Sequence, residues 1–232
     1  MRLAIFAGPP TSGKTTVIKR AVELLLEWGA KPAYMKIDVV FADEDRLLAD
    51  TYHIPARKII SGELCPDHCG VLVLQEAVNW ACSAGADTLI VETAGLCLRC
   101  APYVEGALGI VALEATGGMS LPRKIGPMLT LAQVAVVTKI DLVSQAEREV
   151  FRAGVEAAAG VEVIETDALR GINIARLARR IMDTPPVSGP MVLSGAPPLG
   201  VCTICVGKKQ IGWESHFGVV RTLDSDLFYR GE

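Results

Sequence analysis

The chain has 232 residues, half of them apolar and 5% aromatic, with 23 Lys and Arg set against 26 Asp and Glu for a formal charge of −3. That charge gives no electrostatic case for nucleic acid or an anionic membrane as partner, and no apolar run reaches the roughly 20 residues that a bilayer-spanning helix needs. The first residues enter a strand directly with no secretory leader ahead of it, so the seven cysteines are expected as reduced thiols of a cytoplasmic protein, not as a disulfide framework.

In chain order, Leu3-Ala4-Ile5-Phe6-Ala7 reads as a buried strand, and Val17, Ile18, Ala21, Val22, Leu24 and Leu25 predict a helix over 15–28. Between them lies Gly8-Pro9-Pro10-Thr11-Ser12-Gly13-Lys14-Thr15, with Thr16 next. This G-x-x-x-x-G-K-T run has the strand–loop–helix context that a phosphate-binding loop requires. Its glycines let successive N–H groups face an anion, and the helix N-terminus adds the positive end of its dipole. Lys14 would reach the β and γ phosphates, and the Thr15 hydroxyl would take a Mg²⁺ position. The pattern implies binding of a nucleoside triphosphate.

Further strands are predicted at 33–37, 88–92, 110–114, 134–138 and 162–165, and further helices at 71–84, 146–159 and 172–182. This alternation predicts an α/β fold, a doubly wound, mostly parallel sheet with helices on both faces. Ligands of such sheets sit at the carboxyl ends of the strands, where Asp38, Glu92, Thr138 and Asp167 fall. Asp38 or Glu92 would hold Mg²⁺ directly or through water, and Gly95 offers an N–H near the γ phosphate. Asp38 is also the candidate for orienting the attacking water, so Lys14, Asp38 and Glu92 form the expected catalytic set. The alternative for Asp38 is a plain cap on the next segment.

The strand at 134–138 runs into Thr138-Lys139-Ile140-Asp141, a T-K-x-D sequence. In GTPases the Asp of this motif accepts hydrogen bonds from guanine N1 and N2 while the Lys stem packs across the base. Adenine lacks that donor pair, so GTP is favoured over ATP. Glu165-Thr166-Asp167-Ala168-Leu169 resembles the S-A-K/L loop of GTPases, with Ala168 N–H approaching guanine O6 and Asp167 in place of the usual serine.

Six cysteines fall in pairs: Cys65 and Cys69 with His68 between them, Cys97 and Cys100 just after Gly95, and Cys202 and Cys205 near the C-terminus. Thiolates at these spacings can converge on one soft ion, and nickel, zinc, copper(I) or an Fe–S cluster is chemically permissible. A redox dithiol or inert packing is the alternative for Cys97 and Cys100. Cys82, at helical spacing from Val78 and Ala86, reads as a small core residue, and His53 as a surface or core histidine. His216 reads as a third tail ligand or a packed loop residue.

Lys36-Ile37-Asp38, Glu92-Thr93-Ala94-Gly95, T-K-I-D and Leu121-Pro122-Arg123-Lys124-Ile125-Gly126-Pro127 together resemble the GTPase branch that contains the urease and hydrogenase nickel-insertion GTPases and cobalamin-related metallochaperones. The last segment is similar to the P-R-K-G-G-P run of urease accessory GTPases. Their Cys-Pro-His metal motif has its counterpart in Cys65-Pro66-Asp67-His68-Cys69, with Asp67 inserted, and Cys97 sits as the hydrogenase GTPases' cysteine does. The resemblance covers roughly residues 1–183. It implies slow GTP hydrolysis coupled to homodimerisation and to metal delivery to a client metalloenzyme or its accessory proteins.

Composition turns Pro- and Gly-rich at 184–198, read as a linker between a GTPase domain at 1–183 and a cysteine-containing module at 199–232. Two other readings stand beside metal delivery. One is a GTPase or ATPase whose Fe–S cluster gates electron transfer to, or activation of, a partner; the other is a small-molecule kinase with structural zinc.

Overall fold

The first strand, β1 (Arg2–Ala7), is buried on both faces: Leu3, Ile5 and Ala7 meet one helical layer, and Ala4 and Phe6 the other. The computed structural model describes residues 1–39, 43–61, 65–95, 101–195 and 209–212, with the backbone alone of 219–222 and 228–230. After β1 come α1 (Lys14–Glu27), β2 (Pro32–Asp38), α2 (Glu44–Tyr52), β3 (Ala56–Ile60), α3 (Pro66–Ser83), β4 (Thr88–Thr93) and β5 (Leu108–Glu114). The chain continues with α4 (Leu121–Lys124), α5 (Pro127–Thr130), β6 (Val134–Thr138), α6 (Gln145–Ala158), β7 (Glu162–Glu165) and α7 (Ile174–Met182). A hairpin of β8 (Val219–Thr222) and β9 (Phe228–Arg230) follows.

The sheet runs β7-β6-β5-β1-β4-β2-β3-β8-β9. Its first seven members are all parallel, and the hairpin joins antiparallel at the β3 edge. This is the expected doubly wound fold. After β4 the chain crosses to the far side of β1, so order reverses at β1 and a crevice opens at its carboxyl end. Helices α1, α2 and α7 cover one face through Val17, Ile18, Leu48, Leu177 and Ile181. Helices α3, α5 and α6 cover the other through Leu72, Ala77, Met128, Phe151 and Val155. Among the described residues no helix is long and apolar enough to cross a membrane.

Among the features that depart from the sequence reading, four bear on the site and the domain division. Strand β3 was not expected, because Arg57 and Lys58 interrupt its apolar run; yet Lys58 is fully buried, with Nζ 3.9 Å from Glu44 Oε2. Helix α3 starts at Pro66, whose fixed φ suits a first helical position, so Cys65 is its N-cap and Cys69 lies in its first turns. Cys82 is exposed, not core: the buried stripe near the C-terminal end of α3 runs through Ala77, Val78 and Ala81, and Cys82 turns one step past it. Finally, residues 184–195 of the expected linker pack against the domain. Val187 N–H donates to Met1 O at 2.9 Å, Ser194 N–H to Tyr103 O at 2.9 Å, and Met191 and Leu193 are buried.

Candidate functional site

The crevice at β1 is a cleft of about 540 Å³ walled by residues 10–16, Lys36, Asp38, Glu44, Glu92 and Lys139, among others. Gly8, with φ at 141°, turns the chain out of β1, and a Cβ there would lie 2.3 Å from Ala112 O. Gly95 is tighter still: a Cβ would fall 1.6 Å from Gly8 O, so the end of β4 and the loop lie back to back. Only glycine permits that approach. Lys14 is buried, and its Nζ donates to Gly8 O at 2.8 Å and Pro9 O at 2.9 Å, arching over the loop. Burial depresses the Lys14 pKa to about 8; Lys36 adds to the depression, while Glu92 and Asp38 oppose it.

Glu92, 1% exposed at the end of β4, organises the floor of the cleft. Its Oε1 accepts from Thr15 Oγ1 at 2.8 Å and Lys36 Nζ at 3.0 Å, and its Oε2 accepts from Tyr34 OH at 2.7 Å. Lys36 Nζ also lies 3.4 Å from Glu44 Oε1 and 3.7 Å from Asp38 Oδ2. Burial works against the Lys36 charge, but Glu92, Glu44 and Asp38 outweigh it and hold its pKa above the ordinary value. Burial first, and Glu92 second, push Tyr34 well upward. The three expected Mg²⁺ ligands, Thr15, Asp38 and Glu92, therefore line one cleft, the two acids sharing the Lys36 cation, and their oxygens suit a hard ion. Tyr34 and Glu44 carry no motif, and nothing in the sequence marks them as neighbours of Glu92.

At the base-binding end, Thr138 Oγ1 donates to Ser12 O at 2.7 Å, which ties the T-K-x-D motif to the phosphate loop. Lys139, in the left-handed region at φ 55°, is ion-paired with Glu114. Asp141 Oδ2 lies 3.1 Å from Arg170 Nη1, and the same nitrogen is 2.5 Å from Asp167 Oδ2. Asp167 also accepts the Arg170 N–H at 3.1 Å, and its side-chain bond to Arg170 holds its carboxyl below the usual carboxylate range. In this loop Asp167 thus makes the local side-chain-to-backbone bonds that a serine makes more weakly. Arg20 of α1 fixes the neighbouring backbone, with Nε 3.0 Å from Ala168 O and Nη2 3.3 Å from Leu169 O. The i,i+3 spacing of Asp167 and Arg170 was a legible cue; Arg20, nearly 150 residues away, was not.

The cysteines are placed less symmetrically. Cys65 is half-buried at the α3 N-cap, whereas Cys69 is fully buried in the apolar core; burial, and then Cys65, push its thiol pKa far upward. His68 is buried as well. Asp67 is buried with neither carboxylate oxygen hydrogen-bonded, and burial raises its pKa to about 7. Among the described residues no three His, Cys, Asp or Glu side chains group as a metal site. Cys97, Cys100, Cys202, Cys205 and His216 lie outside the described residues.

A phosphate loop on the first strand of a seven-stranded parallel sheet, joined to T-K-x-D on β6, defines a phosphate-loop NTPase of the guanine-nucleotide type. The sequence profile of the CobW/HypB/UreG nucleotide-binding domain matches residues 2–163, and the chain belongs to that family of GTPases. It is 40% identical over 235 residues to an uncharacterized protein of Methanocaldococcus jannaschii, with 100% of both chains covered. It is 28% identical over 193 residues to urease accessory protein UreG 2 of Streptomyces griseus, covering 74% of this chain and 82% of that one. HypB from Helicobacter pylori, solved in complex with nickel, shares the fold at a TM-score of 0.62 and 19% identity, over 82% of this chain and 91% of that one.

Proposed function

We propose that this GTPase is a cytoplasmic metallochaperone. GTP binding and slow hydrolysis, coupled to pairing of two copies, govern delivery of a metal, nickel first among the candidates, to a client metalloenzyme or its accessory proteins. The observation that carries the reading is the position of Cys65. Ser61 N–H donates to Asp38 O at 2.8 Å, and β2 pairs Asp38 with Ile60 of β3, so a strand end that lines the phosphate cleft lies only a few residues before Cys65 in the sequence. A shift of Asp38 on engaging the γ phosphate would reach the α3 N-cap within four residues of Ser61. A borderline-soft ion suits a thiol, and a second copy related by two-fold symmetry would bring further thiolates to it. The nickel-bound HypB and the urease accessory relative support nickel as the first metal to test.

Hydrolysis follows from the cleft. Lys14 and the loop N–H groups stabilise charge developing on the phosphates, and Asp38 orients the attacking water. Thr15, Asp38 and Glu92 would hold Mg²⁺, which when bound neutralises charge shared by the β and γ phosphates. Among the described residues that line the cleft there is no glutamine to position a water, which favours slow turnover by the isolated protein. The test is elemental analysis and solution mass of anaerobically purified protein, with and without a non-hydrolysable GTP analogue. Stoichiometric nickel whose occupancy changes with the analogue, in a dimer, is the expected result. Iron with sulfide would replace metal delivery by a cluster-bearing GTPase, and a metal-free monomer in both states would refute the proposal.

A further inference from the structure

Asp141 has a partner already. The loop after β7 is closed by Ile172 N–H on Asp167 O at 2.9 Å and held to α1 by Arg20, so its backbone is fixed without the Arg170 side chain. That side chain is 64% exposed, yet its Nη1 reaches across to Asp141 Oδ2 at 3.1 Å. A guanidinium presents a planar fork of N–H donors to a carboxylate. Guanine presents the same chemistry through N1–H and its 2-amino group, so Arg170 and the base would compete for the Asp141 carboxylate.

We propose that Arg170 is an internal stand-in for guanine: it neutralises Asp141 in the empty site, must leave when the base enters, and returns as the base departs. The inference rests on the reading of Asp141 as the residue that accepts from guanine. Departure is easy, because the exposed side chain can turn off Asp141 while its guanidinium stays on Asp167 Oδ2 and its backbone N–H on Asp167 Oδ1 at 3.1 Å. Return is equally easy, because Asp167 Oδ2 keeps the guanidinium close. Arg170 therefore lowers guanine-nucleotide affinity and speeds GDP release, a built-in aid to exchange. An exposed ion pair is weak and screened by salt, so the expected effect is about two- to fivefold at low ionic strength.

The experiment is titration and release of fluorescent GDP for the wild type, Arg170→Ala, Arg170→Gln and Asp141→Asn, each checked for an unchanged circular dichroism melt. Both Arg170 variants should bind GDP about two- to fivefold more tightly and release it more slowly, with the gain shrinking as salt is raised. Unchanged or weaker binding by both variants would overturn the proposal and leave Arg170 a support of the loop. Asp141→Asn separates the underlying reading. It should lose GDP affinity and gain affinity for xanthosine diphosphate, whose extra carbonyl matches the amide. If it does so while the Arg170 variants are neutral, only the stand-in fails; if it leaves GDP binding unchanged, the guanine reading fails with it.

Discussion

Lys14 makes nucleotide affinity depend on pH in a way that follows from its burial. Lys14 is 6% exposed, and its ammonium donates to the carbonyls of Gly8 and Pro9. Desolvation, ahead of repulsion from Lys36, brings its pKa from 10.5 down to about 8. For a base whose folded pKa lies below its unfolded value, the charge destabilises the fold fully below about 8, and that cost is relieved as pH rises toward 10.5. A bound polyphosphate reverses the balance: it supplies the missing negative charge, raises the Lys14 pKa and draws in a proton when binding begins above about 8. At pH 7 about nine in ten free molecules carry the proton and at pH 9 about one in ten, so GTP affinity should fall about tenfold across that interval. Calorimetric titrations from pH 7 to 9, in buffers of low and high ionisation heat, read both the affinity and the proton taken up. Lys14→Arg, whose charge does not titrate in this range, should give a flat profile. A flat profile for the wild type, or the same fall in Lys14→Arg, would refute the reasoning.

Other substitutions separate chemistry from scaffold. Lys14→Ala should abolish GTP hydrolysis, read as phosphate release, and, on the proposed function, leave nickel binding by the nucleotide-free protein intact. Glu92→Gln removes the charge that faces Lys36 and weakens the bonds from Thr15 and Tyr34; urea unfolding should show a loss of about 2 kcal/mol or more. Gly95→Ala should cost more than 3 kcal/mol or prevent folding, because its Cβ collides with Gly8 O. Gly85→Ala, at φ 79° with open space around it, should cost only about 1 kcal/mol. Thiol alkylation mapped by mass spectrometry should modify Cys82 in the native protein and spare Cys69 until it unfolds.

The phosphate loop, T-K-x-D and the strand ends were legible because each is a contiguous signal: an apolar strand, a fixed spacing, a helix with one buried stripe. β3 was not, because hydropathy counts Arg57 and Lys58 as surface residues. Glu44, the acid that faces both Lys58 and Lys36, comes from α2, a short, polar helix with only Leu48 as a buried aliphatic. The N-terminal turn of α3 was hidden for a related reason. Pro66 and Asp67 look like a turn until the proline is recognised as a first helical residue, and this moves Cys69 from a loop into the core. The Cys82 misreading came from extending an i,i+4 stripe through the last turn, where it drifts off the sheet. Arg170 illustrates a further limit. Its pairing with Asp167 is local, but its reach to Asp141 depends on β6 and β7 lying side by side, which no local pattern encodes.

The coupling of nucleotide to metal is tested most directly by one titration series. Nickel affinity is measured for the wild type and for Cys65→Ser, each without nucleotide, with Mg²⁺ and GDP, and with Mg²⁺ and a non-hydrolysable GTP analogue. The proposed function predicts a nickel affinity in the wild type that differs between the GDP and GTP-analogue states, and a loss of that difference in Cys65→Ser. Equal affinity in all three wild-type states, or a Cys65→Ser variant that binds and responds as the wild type does, would contradict it.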